Sequence, residues 1–242
     1  MCGCFPLFRI YGFEDRKGEA TVEINLNEWC GEFLSKLEKV FGDALVFAGL
    51  QGSRGRGEAA ADSDIDLVVV LAELTGRELE LYSGIISSMP YSEKACGFIC
   101  GAEELRAWSP SELFLLYHDT APLYGSLGFI TPASWKAAAE KALKDGACAI
   151  YHGCCHNRLY ARDMETLSAL YKAAFFTARV KHYCETGIFL KKVSELTPVA
   201  GGADLEILAG FDAFRNGEAR AGDFDKLSDA LAAWSSGVIK SS

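Results

Sequence analysis

The sequence predicts an α/β domain with a small mixed sheet, followed by an all-helical bundle domain. Short apolar runs alternate with helical patterns in the first half of the 242-residue chain, and helical periodicity continues alone in the second half. The charge changes at the same place: residues 1–133 hold 10 Lys and Arg against 20 Asp and Glu, a net charge of −10, and the rest carries +1. We therefore predict two domains, 1–130 and 131–242.

The composition limits the classes of protein that the chain can represent. Half of the residues are hydrophobic and 24% are charged, so the chain can bury a sizeable core. A net charge of −9 disfavours a binder of duplex nucleic acid. The nine cysteines are an odd number, the start MCGCFPLFRIYG is unlike a signal peptide, and no apolar run is long enough for a bilayer. We expect a reduced, cytoplasmic protein with no membrane segment.

The first elements are a hairpin and a helix. Two β-rich runs, 7–12 and 20–26, flank a polar turn and predict an N-terminal hairpin over 7–26. Asn27 then precedes apolar residues at three- and four-residue steps, which predict a helix that Gly42 ends.

Strands and helices then alternate around the predicted sheet. Thr75 and Glu78 form a capping box for a helix to about Ser88, and Pro110 is suited to the first turn of another helix. Continuous apolar runs predict buried strands over 44–50, 65–72 and 94–100.

The second half contains only helical signals. Asp163 and Gly187 are a plausible N-cap and C-cap for one helix, whose apolar residues lie on more than one side, as in the centre of a bundle. The other predicted helices cover 134–160, 203–214 and 222–236, with a loop at 198–202.

The chemistry is concentrated between two predicted strands, in a polar, glycine-rich loop. A buried strand ends at Gly52 and Ser53, where a bare backbone and a hydroxyl suit the oxygens of a phosphate. Asp64 and Asp66 lie two residues apart at the start of the next strand, so alternation places both carboxylates on one face, with Ile65 in the core. Two close carboxylates require a cation, and this combination is typical of a magnesium–nucleotide site.

These residues resemble the signature of the DNA polymerase beta-type nucleotidyltransferase superfamily. The stretch GSRGRGEAAADSDIDLVVV, within the motif at 46–71, is most similar to the minimal and antibiotic nucleotidyltransferases. The helical half resembles the C-terminal domain of kanamycin nucleotidyltransferase-like proteins.

The resemblance implies a reaction and its residues. Gly52 and Ser53 would bind the triphosphate of a nucleoside triphosphate, with ATP as the expected donor. Asp64 and Asp66 would be the catalytic ligands of Mg²⁺ or Mn²⁺. A hydroxyl of a small molecule or protein would attack the α-phosphorus and release pyrophosphate. Arg54 and Arg56 are further candidates for nucleotide binding, and a solvated loop is an equal alternative for both.

The chain departs from the family at the third carboxylate, which most active members carry on the strand after the intervening helix. The run 94–100 contains no acidic residue, and Glu93 at its leading edge is the nearest substitute. Glu103 and Glu104 are better placed for the first turn of the next helix. The alternatives to an enzyme are a nucleotide-binding regulatory module and an antitoxin-like partner of a helical toxin.

Three other groupings have simpler explanations. The residues Cys148, His152, Cys155 and His156 share a helical face, but packed cysteines and surface histidines explain them better than a metal site. Within 117–120, His118 and Asp119 are expected to end a helix and support the next strand, and a functional His–Asp pair is the alternative. Seven basic residues within 158–192 predict a solvated helix surface, or a face for an anionic acceptor.

Overall fold

A computed structural model of the protein describes residues 24–59 and 63–241. The described residues form two compact units, 24–133 and 134–241. The first unit contains these helices and strands in order: α1 (Leu26–Phe41), β1 (Leu45–Leu50), α2 (Gly52–Arg56), β2 (Ile65–Leu71), α3 (Gly76–Ser87), β3 (Ala95–Gly101), α4 (Ala102–Arg106), α5 (Pro110–Asp119) and β4 (Ala121–Gly125). The second contains α6 (Trp135–His156), a π-helical turn (Asn157–Ala161), α7 (Met164–Thr186), α8 (Val193–Leu196), α9 (Gly202–Arg215) and α10 (Phe224–Ser241).

The sheet of the first unit is mixed, as the sequence predicts. Its strand order is β3-β2-β1-β4, in which β1 pairs antiparallel with both β2 and β4. The pair β2 and β3 is parallel, because α3 crosses between them. The parallel register places Asp66 opposite Cys96.

Both faces of this sheet are covered, because alternate side chains of β2 are buried in two different hydrophobic clusters. Ile65, Leu67 and Val69 are buried in a cluster with Phe33 of α1. On the opposite face Val68 and Val70 are buried, in a cluster with Leu105 and Leu113 of α4 and α5. Asp66 therefore lies on the α4–α5 face of β2, at the end where the apolar cover stops.

The N-terminal predictions are corrected where they meet the described residues. α1 begins at Leu26, and its N-cap is Asn25, whose side chain accepts the Glu28 amide, so the helix starts before Asn27. The predicted strand over 20–26 therefore does not extend to its last residue, and the rest of the predicted hairpin, 7–23, lies outside the described residues. Gly42 ends α1 with φ +49, as predicted.

In the helical unit, α6 packs against α7 and α10, and α7 packs against α9. Close approach depends on small residues: a Cβ on Gly146 would lie 2.6 Å from Oγ1 of Thr177, and one on Gly210 would lie 2.3 Å from the Tyr171 ring. Buried Asn157 joins α6 to α7, because its side chain exchanges two 2.9 Å hydrogen bonds with the backbone of Asp163.

The ends of the helical elements agree with the predicted caps at Asp163 and Gly187. The last helix is longer than predicted and continues to Ser241, since Val238 is still buried in the bundle. The predicted loop at 198–202 overlaps a 3-10 turn, Thr197–Val199, and contains the first residue of α9, Gly202. Among residues 24–59 and 63–241, no helix is long and apolar enough to cross a membrane.

Candidate functional site

The turn that follows β1 closes on the carboxylate of Asp66. The Gln51 amide donates a 2.8 Å hydrogen bond to the Asp66 carbonyl, which ties the end of β1 to β2. Gly52 has φ +64, and a Cβ there would lie 1.8 Å from Oδ2 of Asp66. Glycine is therefore required on two grounds, the left-handed backbone and the contact with the carboxylate.

The predicted glycine-rich loop is wrong in one respect, because Gly52–Arg56 form the short helix α2. The Gly55 amide bonds to the Gln51 carbonyl at 3.0 Å. A Cβ on Gly55 would lie 2.7 Å from the Leu50 carbonyl, so the absence of a side chain lets α2 pack on the end of β1. Glycine content indicated a loop, whereas here it permits close packing. Ser53 is half-buried in this helix.

The two aspartates occupy the start of β2. Asp64 immediately precedes the strand and Asp66 is its second residue, and both are half-buried. Ile65 between them is fully buried in the core. The structure thus places the carboxylate of Asp66 beside the Gly52 turn, which is the juxtaposition expected from the two halves of the motif.

The side chain beside Asp66 on β3 is a thiol. Sγ of Cys96 donates a hydrogen bond to Oδ1 of Asp66 at 3.3 Å. Glu93 lies exposed in the 3-10 turn Ser92–Lys94 before the strand, and no acidic residue belongs to β3 itself. Sequence reasoning did not single out Cys96, because its role follows from the parallel register of β2 and β3.

Glu103 and Glu104 lie in the first turn of α4, as expected. They follow the last residue of β3, Gly101, whereas Cys96 is near its first residue. At about 3.3 Å per residue, that length of strand separates them from the Asp66 end by well over 10 Å.

Arg54 is bound to the backbone that leads into β2. Its guanidinium donates to the carbonyls of Ser63, at 2.8 and 3.1 Å, and Asp64, at 3.1 Å. These bonds hold the chain immediately before the two aspartates. In this arrangement Arg54 holds the backbone that carries the aspartates, and its predicted contact with phosphate stays a prediction.

Arg56 forms a buried ion-pair network with two carboxylates. Its side chain is 7% exposed, and it pairs with Glu58 at 3.2 Å and with Asp119 at 3.0 Å. Asp119 is the last residue of α5, so this pair joins α2 to the end of a helix 63 residues further along the chain. Arg56 therefore stabilises the α2–α5 junction in the described conformation, and phosphate binding by its guanidinium stays a prediction.

Two more polar residues, Gln51 and Thr120, stabilise the same junction, and sequence reasoning missed the role of Gln51. Nε2 of Gln51 donates to Oγ1 of Thr120 at 2.9 Å, and the Thr120 hydroxyl in turn bonds to the Leu116 carbonyl. Thr120 is buried, directly before β4. The side-chain roles found at Asp119 and Thr120 agree with the expectation that this segment ends α5 and supports the next strand.

The residues at this site fit a divalent cation that shares its ligands with a nucleotide. Among residues 24–59 and 63–241, no three His, Cys, Asp or Glu side chains are grouped so as to hold a metal. Mg²⁺ is usually bound by one or two carboxylates together with substrate phosphates and water. Asp66 beside the Gly52 turn, with Asp64 two residues earlier in the chain, supplies the carboxylate oxygens that such a cation takes.

The other predicted groupings lie in the helical unit. The rings of His152 and His156 are 6.3 Å apart on α6, and Cys148 and Cys155 are exposed. No metal cluster forms there among the residues that the structure describes. The two histidines are exposed, as predicted, whereas the prediction of packed cysteines is wrong for Cys148 and Cys155.

The basic run is not one continuous face. Arg158 and Arg162 pair with Asp229 and Asp225 of α10. Lys181 pairs with Asp204 of α9, and Trp234 donates to the same carboxylate at 2.7 Å. Arg179 is buried, contrary to the expectation of a solvated surface, because aromatic rings surround its guanidinium.

Comparisons with known proteins agree with this description. Residues 30–99 match the family model described as nucleotidyltransferase domain, which covers most of α1, the Gly52 turn, both aspartates and most of β3. This part of the chain is therefore similar to a nucleotidyltransferase domain, as the sequence predicts. A search of curated proteins found no match.

A solved structure extends the likeness of fold to most of the chain. It is spectinomycin adenyltransferase AAD(9) from Enterococcus faecialis, determined with ATP and spectinomycin. The TM-score is 0.54 at 15% sequence identity, over 85% of this chain and 98% of the other. The two chains thus share the fold of a mixed-sheet domain with a helical region.

Proposed function

We propose that the protein is a metal-dependent nucleotidyltransferase that moves a nucleoside monophosphate from a nucleoside triphosphate to a hydroxyl group. The observation that supports this most directly is the contact between the Gly52 turn and the Asp66 carboxylate. A Cβ on residue 52 would lie 1.8 Å from Oδ2 of Asp66. Phosphate oxygens bound at the turn would lie beside the carboxylates that hold their cation. The match of residues 30–99 to the nucleotidyltransferase domain supports the same conclusion.

Asp64 and Asp66 are proposed as the residues that hold Mg²⁺ or Mn²⁺. A cation bound there supplies positive charge that stabilises the attacking and leaving oxygens of an in-line displacement. The backbone at Gly52 and the hydroxyl of Ser53 are proposed to contact the triphosphate. Arg54 acts on this geometry through the backbone of Ser63 and Asp64, to which it donates.

In the proposed reaction the hydroxyl oxygen of the acceptor forms a bond to the α-phosphorus. The bond between that phosphorus and the oxygen bridging to the β-phosphate breaks, so pyrophosphate leaves with the electron pair. The hydroxyl proton passes to water. ATP is the first donor to test, and a small molecule is the first class of acceptor, because the structural relative is named as an adenyltransferase of a small molecule.

A second candidate is a nucleotide-binding module that regulates without turnover. The specific observation in its favour is that β3 presents the Cys96 thiol to Asp66 where a carboxylate would supply a further metal ligand or a base. Release of pyrophosphate from ATP in a screen of hydroxyl acceptors would favour the enzyme. Binding of nucleotide without any release would favour the module.

The first experiment is a thermal-shift titration with the four ribonucleoside triphosphates, with and without Mg²⁺ or Mn²⁺. A ligand at 100 times its dissociation constant stabilises the native state by about 2.7 kcal/mol. We expect a cation-dependent shift that Asp66→Asn abolishes. The matched control is Asp43→Asn, which changes an exposed aspartate in the turn between α1 and β1. Equal shifts in Asp66→Asn and Asp43→Asn would contradict the assignment of the site.

A further inference from the structure

The thiol of Cys96 is held next to Asp66 by the sheet itself. The parallel register pairs the two residues, and Sγ lies 3.3 Å from Oδ1. The adjacent Gly97 has φ +145, and a Cβ there would lie 2.1 Å from the Leu67 carbonyl, so only glycine lets β3 approach β2 this closely. Cys96 is exposed, and a solvated ion can therefore reach it.

The distance between Sγ of Cys96 and Oδ1 of Asp66 suits two ligands of the same cation. Metal–sulfur bonds of about 2.3 Å and metal–oxygen bonds of about 2.1 Å place the two ligand atoms about 3.1 Å apart at a right angle and about 3.6 Å apart at the tetrahedral angle. The observed 3.3 Å lies between these values. An ion could bind both atoms without a shift of either strand.

The kind of donor decides which ion is preferred. Mg²⁺ takes oxygen ligands and accepts sulfur poorly, whereas Zn²⁺, Cd²⁺ and Co²⁺ bind thiolates well. A site with a carboxylate and a thiol therefore discriminates against Mg²⁺ compared with a site of carboxylates alone.

We propose that Cys96 sets the cation preference of the nucleotide site, and shifts it from Mg²⁺ toward cations that accept a sulfur ligand. This inference rests on the proposed function, because the cation would be the one that accompanies the triphosphate. Cys96 is then a ligand that determines metal specificity, and the identity of the residue at this position determines which ion supports nucleotide binding.

The test measures ATP affinity with Mg²⁺, Mn²⁺ and Cd²⁺ for the wild type and for Cys96→Ser, Cys96→Asp, Cys148→Ser and Asp66→Asn. We expect Cys96→Ser to reduce the preference for Cd²⁺ over Mg²⁺ by at least about tenfold, the lower end of the effects seen next to metal ligands. Cys96→Asp should shift the preference further toward Mg²⁺. Cys148→Ser removes an exposed thiol of α6 and should leave the preference unchanged.

A second measurement uses Co²⁺ alone, without nucleotide. Coordination of Co²⁺ by a thiolate produces a sulfur-to-cobalt charge-transfer absorption in the near ultraviolet. The absorption should be lost or strongly reduced in Cys96→Ser and retained in Cys148→Ser. Circular dichroism of each variant establishes that the protein is folded.

The outcomes separate this inference from the proposed function. An unchanged cation preference and an unchanged cobalt spectrum in Cys96→Ser, with nucleotide binding still lost in Asp66→Asn, would overturn the role of Cys96 and leave the nucleotide site in place. Absence of ATP binding with every cation would overturn the proposed function, and the cobalt spectra would then decide whether Cys96 and Asp66 bind a metal.

Discussion

Each of the two units shields the side chain of an arginine from solvent, and they accommodate its charge differently. In residues 24–133, Arg56 is paired with Glu58 and Asp119 at 3.2 and 3.0 Å. In residues 134–241, Arg179 is 1% exposed, and its guanidinium lies 4.7 to 5.2 Å from the ring centres of Phe175, Phe176 and Phe189.

The difference indicates what each unit is built for. Carboxylate partners impose direction and distance on a guanidinium, which suits the α2–α5 junction beside the Gly52 turn. Aromatic faces stabilise the cation while they also fill the core of a bundle. The first unit uses its buried charge to hold a candidate site in place, and the second uses it for packing.

The sharpest test of the comparison removes a core aromatic residue from each unit. Phe33 is fully buried and stacks on Trp29, and Phe175 is buried and stacks on Phe211 at 4.9 Å. We expect Phe33→Ala and Phe175→Ala each to cost about 3–5 kcal/mol of unfolding free energy. Calorimetry should show that each variant lowers a different transition. If calorimetry shows a single transition whose temperature falls equally in Phe33→Ala and Phe175→Ala, the result would argue against the domain boundary proposed near residue 130.

The next largest effect should distinguish the two arginines. Arg56→Met removes the cation that pairs with the half-buried carboxylates of Glu58 and Asp119, which are 16% and 12% exposed, and breaking such a pair costs up to about 3 kcal/mol. Arg179→Met keeps the packing on the aromatic rings and loses the 3.2 Å hydrogen bond from Nη1 to the Lys191 carbonyl, so we expect a smaller cost of about 1 kcal/mol. Denaturant unfolding measures both. Equal costs would remove the distinction drawn between the units.

A smaller effect concerns glycines in the helical unit. Gly210→Ala forces a methyl group against the rigid Tyr171 ring, so we expect a loss of about 1–3 kcal/mol. Gly237 lies within α10 with open space where the methyl group of an alanine would point, so Gly237→Ala should stabilise by about 0.5–1 kcal/mol. The denaturation midpoint should fall in Gly210→Ala and rise in Gly237→Ala. A lower midpoint in both variants would contradict the open space described at Gly237 in α10.

The smallest expected effect depends on pH. Hydrogen bonds from Thr166, first of all from its side chain, hold the pKa of Asp163 below its usual value, and this residue is the N-cap of α7. Because the folded pKa is depressed, its stabilising contribution is present above the unfolded pKa, about 3.9, and is lost as the pH falls through the folded value. Asp163→Ala should therefore cost about 1 kcal/mol at pH 7 and less in acid.

The control for this pH dependence is Ser134→Ala. Ser134 caps α6 with a hydroxyl that accepts the Ala137 amide at 3.1 Å, and a hydroxyl does not titrate in this range. Its cost, measured by denaturant unfolding, should not change between pH 7 and acid. A parallel decline in both variants would show that the effect of Asp163→Ala arises from general acid destabilisation.

The sequence by itself determined the local elements and the two halves of the motif. Continuous apolar runs indicate β1, β2 and β3, and the capping box of Thr75 and Glu78 marks the start of α3, because neighbouring residues alone create these signals. Neighbouring residues also reveal the two halves of the motif, a glycine turn after β1 and two aspartates at the start of β2.

Only the tertiary structure decided which distant side chains meet. The ion pair of Arg56 with Asp119 spans 63 residues, and the bond from Cys96 to Asp66 spans 30 and depends on the parallel register. Local patterns do not encode register, since it is set by how the apolar faces of whole elements pack. The cysteine beside the candidate metal ligand therefore emerged from the fold, whereas the aspartate it contacts was predictable from the sequence.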